Sequence, residues 1–330
     1  MLKPPRRTLV IFSLATLLIA TVAPSASASI AGKKCNQIGL TRTVSKVKYL
    51  CSKSGKATIW IKATKNFDSS KKNDCPKVNP EADALRALAK REILNKAIPS
   101  FVSLEIEPGA VNASQESQFI AAIAAATRAT DQTVPIKYFI PKTKNWFKER
   151  WPSEDVSYLN QVVTDSEVPF PAHSLGDKTR YAVAGVSSGD SRHHEFVQAV
   201  SIVLKPRGLS GSALHWYSHS FGGPYGAAIS EALGIGCYSE FRSQALKMAK
   251  EMGPDLRKNI SWNVPQSGWY QGFLANEYLT GRIGLAEAGK LIPNPSNKDE
   301  IDQNFRKALN MDLEGFYDFM ESRLAKELAS

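Results

Sequence analysis

The apolar pattern of this chain changes period once, and that change narrows what it can fold into more than any other feature. Short β-branched and aromatic runs stand at residues 101–106, 134–140 and 181–186, broken by the turn Pro108-Gly109 and by Pro141. Runs of this kind between turn residues read as strands. Helical spacing predicts helices at 81–97, where Leu85, Leu88, Ala89, Ile93 and Leu94 share a face, at the alanine-rich 114–130, and at 144–150 and 154–163. Beyond residue 190 only the helical period remains. Helices are expected just after Asp190 or Ser191 as N-cap, at 224–233, 239–251, 269–279 and 312–327, with Gly281 and Gly284 ending the one at 269–279. A few strands followed by a helical half predict an α+β fold, its mixed sheet packed on the first long helix.

With 330 residues the chain has room for one large domain and a small one. Residues 1–28 have the layout of a secretory signal: Lys3, Arg6 and Arg7, an apolar run at 9–23, then Ala26-Ser27-Ala28 before Ser29. Cleavage after Ala28 is expected. No lipobox cysteine and no second long apolar run follow, so the expected product has no transmembrane anchor and is secreted or associated with the cell wall. Loss of the three basic signal residues lowers the formal charge from +11 to +8, which suits an anionic cell-wall polymer as partner. Nucleic acid is not expected, since the chain carries no nucleic-acid-binding motif and the compartment is wrong.

Residues 29–62 read as a separate basic, β-rich module, with Gly39 and Gly55 punctuating short β-branched and aromatic runs. An oxidising compartment permits a Cys35–Cys51 disulfide, a staple of about 3 kcal/mol for a core this small. The module resembles a short cysteine-containing unit at the mature N-terminus of many exported actinobacterial proteins. Its basic residues, among them Lys33, Lys34, Arg42, Lys46 and Lys48, make either a wall-binding face or an ordinary solvated surface. Residues 63–80 lack any apolar period and read as a linker. Cys75 near its end and Cys237 in the main domain, 81–330, can form a second disulfide in the same compartment, although sequence does not determine that pairing.

Four of the five histidines, His193, His194, His215 and His219, fall between residues 190 and 226. His194-Glu195-Phe196-Val197-Gln198 is one residue away from the zinc-hydrolase motif H-E-x-x-H, in which two histidines bind zinc and the glutamate polarises water. On a helix His194 and Gln198 point the same way, with Glu195 beside them. Gln198 offers only a neutral amide where zinc prefers imidazole, thiolate or carboxylate. A surface His-His-Glu at a helix start, its acid answering the helix dipole, is the ordinary alternative.

Taken with the following segments, the region from residue 134 onward resembles the gluzincin metallopeptidases, zinc enzymes whose third ligand is a glutamate on a later helix. The segments that carry the likeness are the strand at 134–140, the helix opening at His194-Glu195, the block Leu214-His215-Trp216-Tyr217-Ser218-His219-Ser220, the helix around Tyr270 to Leu279, and residues 305–319. The resemblance implies a zincin-like domain in which His194 takes the first ligand position and Glu195 that of the general base. Gln198 stands where the second histidine belongs, and His219 where the glutamate belongs. Two readings follow. One is a pseudopeptidase, without metal, that binds a peptide, a wall component or another exported protein. The other is an active zinc peptidase with a rearranged ligand set of His194, Gln198 and His219, helped by His193 or His215. Tyr270 and Glu277 are either catalytic, or a packed aromatic and a surface or buried-pair carboxylate. His173 reads as a solvated turn residue.

Another chemistry has a letter match. Gly185-Val186-Ser187-Ser188-Gly189 fits the G-x-S-x-G nucleophile elbow and lies between a strand and a helix. Its bases would be His215 or His219, since no histidine follows His219. An α/β hydrolase needs alternating strands and helices around that serine, which this order does not supply. The plain alternative is a glycine-serine turn into a helix cap. A non-enzymatic wall-binding protein using the basic module is a further class.

Overall fold

The computed structural model describes residues 33–35, 41–44, 47–54, 57–62, 75–130, 134–151, 173–176, 178–185, 192–204, 214–261 and 265–329. The expected signal at 1–28, the helix at 154–163, Ser187, and the cap residues Asp190 and Ser191 lie outside them.

Strands form where β-branched and aromatic residues cluster. β1 (Thr41–Val44), β2 (Val47–Ser54) and β3 (Ala57–Lys62) make an antiparallel sheet in that order. The Trp60 backbone N–H donates to the Lys33 carbonyl at 2.8 Å, joining the segment before β1 to the sheet. Cys35 is disulfide-bonded; the Cys51 side chain of the expected Cys35–Cys51 bond lies outside the described residues.

The second sheet contains β4 (Val102–Ile106), β5 (Ile136–Ile140), β6 (His173–Leu175) and β7 (Arg180–Val183) in the order β4-β5-β7-β6. β4, β5 and β7 are parallel, and β6 is antiparallel to β7. The sheet is therefore mixed. Alternation along β5 divides two cores: Ile136, Tyr138 and Ile140 enter the main one, while Phe139 packs with Phe147, Trp151 and Val183 on the other face. His173 is not a turn residue; it opens β6 opposite Val183. A three-residue strand is too short to leave an alternating signature in sequence.

α1 (Pro80–Glu92) starts at an Asn79 cap whose Oδ1 accepts the Ala82 N–H at 2.7 Å. The folded domain begins before residue 81, because Cys75 is bonded to Cys237 and its carbonyl accepts from Arg86 Nη2 at 3.2 Å. α1 also stops short of residue 97: the Arg128 guanidinium donates to the carbonyls of Glu92 at 2.6 Å and Ala97 at 2.8 Å, satisfying backbone groups that leave the helix. α2 (Ala113–Arg128) carries an Asn112/Gln115 capping box, and its residues 119–126 are all buried, which makes it the central helix. α3 (Lys144–Lys148) is capped by Thr143.

From residue 192 onward every described element is helical. α4 (Arg192–Leu204) buries Phe196, Val197, Val200, Val203 and Leu204. It is tied to the sheet by Tyr138 Oη, which donates to the Ala199 carbonyl at 2.7 Å, and to α2 by the Phe119–Phe196 contact at 5.0 Å. There follow α5 (His215–Ser218), α6 (Gly223–Ala232), α7 (Tyr238–Ala249), a 3-10 turn at Leu256–Asn259, α8 (Gln266–Ile283), α9 (Leu285–Ala288), α10 (Lys298–Leu309) and α11 (Leu313–Ala329). Gly281 does not end α8. It lies inside the helix, where a Cβ would sit 2.5 Å from the Glu81 carbonyl oxygen, so glycine lets α8 approach α1; the helix ends at Gly284, whose φ is +86°. Among the described residues no helix is long and apolar enough to cross a membrane.

Candidate functional site

The first turn of α4 places His193, His194 and Glu195 half-buried, with Gln198 one turn further on. Two later helices close over them: α7 contributes Phe241 and α8 contributes Trp269 and Tyr270, each almost fully buried. The His194 ring stacks on Phe241 at 5.8 Å with 14° between the planes, and Trp269 meets it edge-on at 6.0 Å. Aromatic walls of this kind exclude water and penalise charge on the imidazole. Burial accordingly lowers the His194 pKa, although the Glu195 carboxylate pulls the other way.

Both nitrogens of His194 are engaged within the protein. Gln198 Nε2 lies 2.8 Å from His194 Nε2, and Tyr270 Oη lies 3.0 Å from Nδ1. If the Gln198 amide donates to Nε2, a neutral ring must carry its proton on Nδ1 and donate it to Tyr270. The opposite tautomer requires the amide to present its oxygen, with Tyr270 donating to Nδ1. Either way a neutral imidazole fills both of its hydrogen-bonding positions. Burial also pushes the Tyr270 hydroxyl up to about 12, so it stays protonated.

His193 is the less comfortable neighbour. Its Nε2 is buried with no hydrogen-bond partner among the described residues, and its ring stands edge-on to Phe241 at 5.4 Å. Burial lowers its pKa against the pull of Glu240. Unfolded, each imidazole titrates near pH 6.5; folded, both titrate lower, so the unfolded chain binds more protons in between and stability falls as pH drops below about 6.5. Glu116 on α2 acts in the opposite sense, because burial raises its pKa to about 7 and its contribution is lost as pH rises through that value. In a Glu116→Gln background the urea midpoint should therefore fall between pH 7.5 and pH 5; a flat profile would refute the buried neutral pair.

His219 stands elsewhere. It is exposed at the end of α5, and its ring stacks on His215 at 4.6 Å. Its backbone carbonyl accepts the Trp269 indole N–H at 3.1 Å, so Trp269 touches both His194 and the His219 backbone, while the two imidazoles have different partners. Of the expected ligand set, His194 and Gln198 lie side by side on α4 and His219 lies at the end of α5 against His215. Nε2 of His194 faces the Gln198 amide, and among the described residues no three His, Cys, Asp or Glu side chains converge as ligands. Glu195, expected as general base, is half-buried beside His194.

Glu277 is the buried-pair carboxylate. It is fully buried and accepts from Tyr238, Arg242 and Asn79, not from the histidine cluster. Tyr270 is both a packed aromatic and the hydrogen-bond partner of His194. Sequence reading did not single out Phe241; nothing in its local sequence marks it, because its role arises from the packing of α7 against His194 on α4 and Phe273 on α8. The Cys75–Cys237 disulfide is formed. Compared with known proteins, the chain matches no family model, no curated protein and no solved structure.

Proposed function

We propose that this chain is an exported, non-catalytic binding protein: a pseudopeptidase on a zincin-like scaffold, with a peptide or another exported protein as its partner and an anionic wall polymer as the surface that its basic module favours. The observation that carries this reading is the saturation of both His194 nitrogens by Gln198 and Tyr270. A histidine used as a zinc ligand must keep one nitrogen lone pair for the metal and give its other N–H to an orienting group. Here the second position is filled by the side chain that replaces the second histidine of the motif. Secretion and the zincin-like likeness rest on the signal-like N-terminus and on the order of strand, His-Glu helix and Trp-containing turn.

The rival reading, an active zinc peptidase, draws support from Trp269, which keeps His194 and His219 within one neighbourhood. The two separate in one experiment on purified protein incubated with zinc and dialysed. Zinc content by elemental mass spectrometry is expected to be equal in wild type and His194→Ala, and peptide hydrolysis to stay at background in wild type and Glu195→Gln alike. Binding to isolated wall polymer should be indifferent to chelator. Zinc near one per chain that disappears in His194→Ala, with hydrolysis that disappears in Glu195→Gln, would sink the binding-protein reading.

A further inference from the structure

We infer that the Cys75–Cys237 disulfide is a redox-sensitive latch on the loop between α6 and α7, which closes over His193: reduction by an external dithiol frees the loop and exposes that imidazole while the domain stays folded. The inference does not rest on the binding-protein reading. The loop is built to move. Gly234 is exposed with φ +70°, a conformation that glycine adopts without strain, and a Cβ there would meet nothing within 4 Å. Gly236 lies directly on the His193 ring, where a Cβ would collide with Nδ1. Ile235 between them is only half-buried. Cys237, next in the chain, is bonded to Cys75 in the segment that leads into α1.

The position of the bond favours its reduction. Both cysteines are half-buried rather than enclosed in the core. Cys237 is the N-cap residue of the 12-residue helix α7, and the partial positive charge of a helix N-terminus stabilises a thiolate there. The Glu240 carboxylate, which accepts the Cys237 N–H at 3.2 Å, shares that helix end and tempers the effect. A leaving thiol of lowered pKa departs faster, and stabilising the reduced form favours reduction. The thiolate of the dithiol therefore attacks Cys75 Sγ and expels the Cys237 thiolate, which takes a proton from water. The second thiol of the dithiol then resolves the mixed disulfide, leaving the Cys75 thiol and a dithiol oxidised to its own disulfide. Two electrons and two protons pass to the protein.

Release stays local because other contacts hold what flanks the loop. Arg86 of α1 pairs with Glu231 near the end of α6 at 2.8 Å, and Glu231 accepts the Tyr238 N–H at 2.9 Å. Tyr238 and Arg242 anchor α7 to Glu277 of α8 at 2.8 and 2.9 Å, and Phe241 packs on Phe273 at 5.1 Å. The loop itself keeps two backbone bonds to α6, from Gly234 to Glu231 and from Ile235 to Ser230. A segment with so few buried contacts opens before the helices beside it. α7 therefore holds Phe241 against His194, and the group uncovered is His193, whose Nε2 is buried in the closed form.

The test is carbethoxylation of histidine by diethyl pyrocarbonate, located by peptide mass spectrometry, on the purified protein before and after dithiothreitol, with the reductant removed before labelling. His193 is expected to react about tenfold faster in the reduced protein, with His194 and His215 unchanged, and amide exchange should quicken at residues 234–236 but not along α7. Reoxidation should restore the slow rates. The double variant Cys75→Ser, Cys237→Ser should show the fast His193 rate without reductant and no further change with it, which separates this bond from the one at Cys35. Reduction that requires denaturant overturns the latch. So does an equal His193 rate in the two forms, or a rate that rises at every histidine together, which would make the bond a staple of the whole domain. The zinc and hydrolysis measurements that decide the binding-protein reading are independent of each of these outcomes.

Discussion

Replacing Cys75 and Cys237 with serine is expected to lower the unfolding free energy by about 5 kcal/mol in the chain-entropy limit. The bond joins residues 162 apart in sequence, so in the unfolded chain it closes a loop that includes α1, the whole second sheet, α4 and α6. The entropy removed from the unfolded ensemble grows with the logarithm of loop length, which places this bond near the top of the usual range. The measured loss should fall somewhat below that limit, because noncovalent contacts hold the same two segments in register. Arg86 donates to the Cys75 carbonyl and pairs with Glu231 at 2.8 Å, and Glu231 in turn accepts the Tyr238 N–H, next to Cys237, at 2.9 Å. Urea unfolding of the double serine variant should show a lower midpoint and a steeper dependence on urea, since the released denatured chain exposes more surface. An unchanged midpoint would mean that the crosslink contributes nothing beyond those contacts.

What sequence could reveal of this molecule divides by distance along the chain. The alanine run of α2, the strand at β5 and the apolar face of α8 are local patterns, and they lie where period and turn residues put them. α10 was harder: among Lys298-Asp299-Glu300-Ile301-Asp302-Gln303-Asn304-Phe305 only Ile301 and Phe305 are apolar and buried, so the first two turns look like a charged loop. The His194–Gln198 contact was legible because a four-residue spacing on a helix is a geometric statement. Tyr270, 76 residues from His194, was not legible as its partner, since no local rule links the two. The stacking of His219 on His215 is again a four-residue spacing, local in sequence, whereas the hydrogen bond from Trp269 to the His219 carbonyl joins residues 50 apart and has no local mark.

The second large effect belongs to Glu277→Ala, which should cost about 3–5 kcal/mol, the loss seen when one member of a buried ion pair is removed. Glu277 lies in the middle of α8, away from the histidine cluster, with its side chain only 1 % exposed. Three elements converge on it. Asn79 Nδ2 donates at 2.7 Å while the same side chain caps α1 through Oδ1, Tyr238 Oη donates at 2.8 Å from α7, and Arg242 Nε lies 2.9 Å from both carboxylate oxygens. Burial opposes the Arg242 charge, and Glu277 with Glu327 of α11 outweighs that opposition, so the guanidinium pKa is raised. Removing the carboxylate leaves Arg242 with Glu327 alone and strips the acceptor from a buried tyrosine hydroxyl and from the capping amide. Because the pair is buried, moderate salt should not relieve the loss. Adding Arg242→Ala to Glu277→Ala should cost less than the sum of the single changes, with a coupling of roughly 0.5–3 kcal/mol measured by a double-mutant cycle in urea. A loss under 1 kcal/mol for Glu277→Ala, or strict additivity, would mean that the network is dispensable and would return Glu277 to consideration as a functional carboxylate.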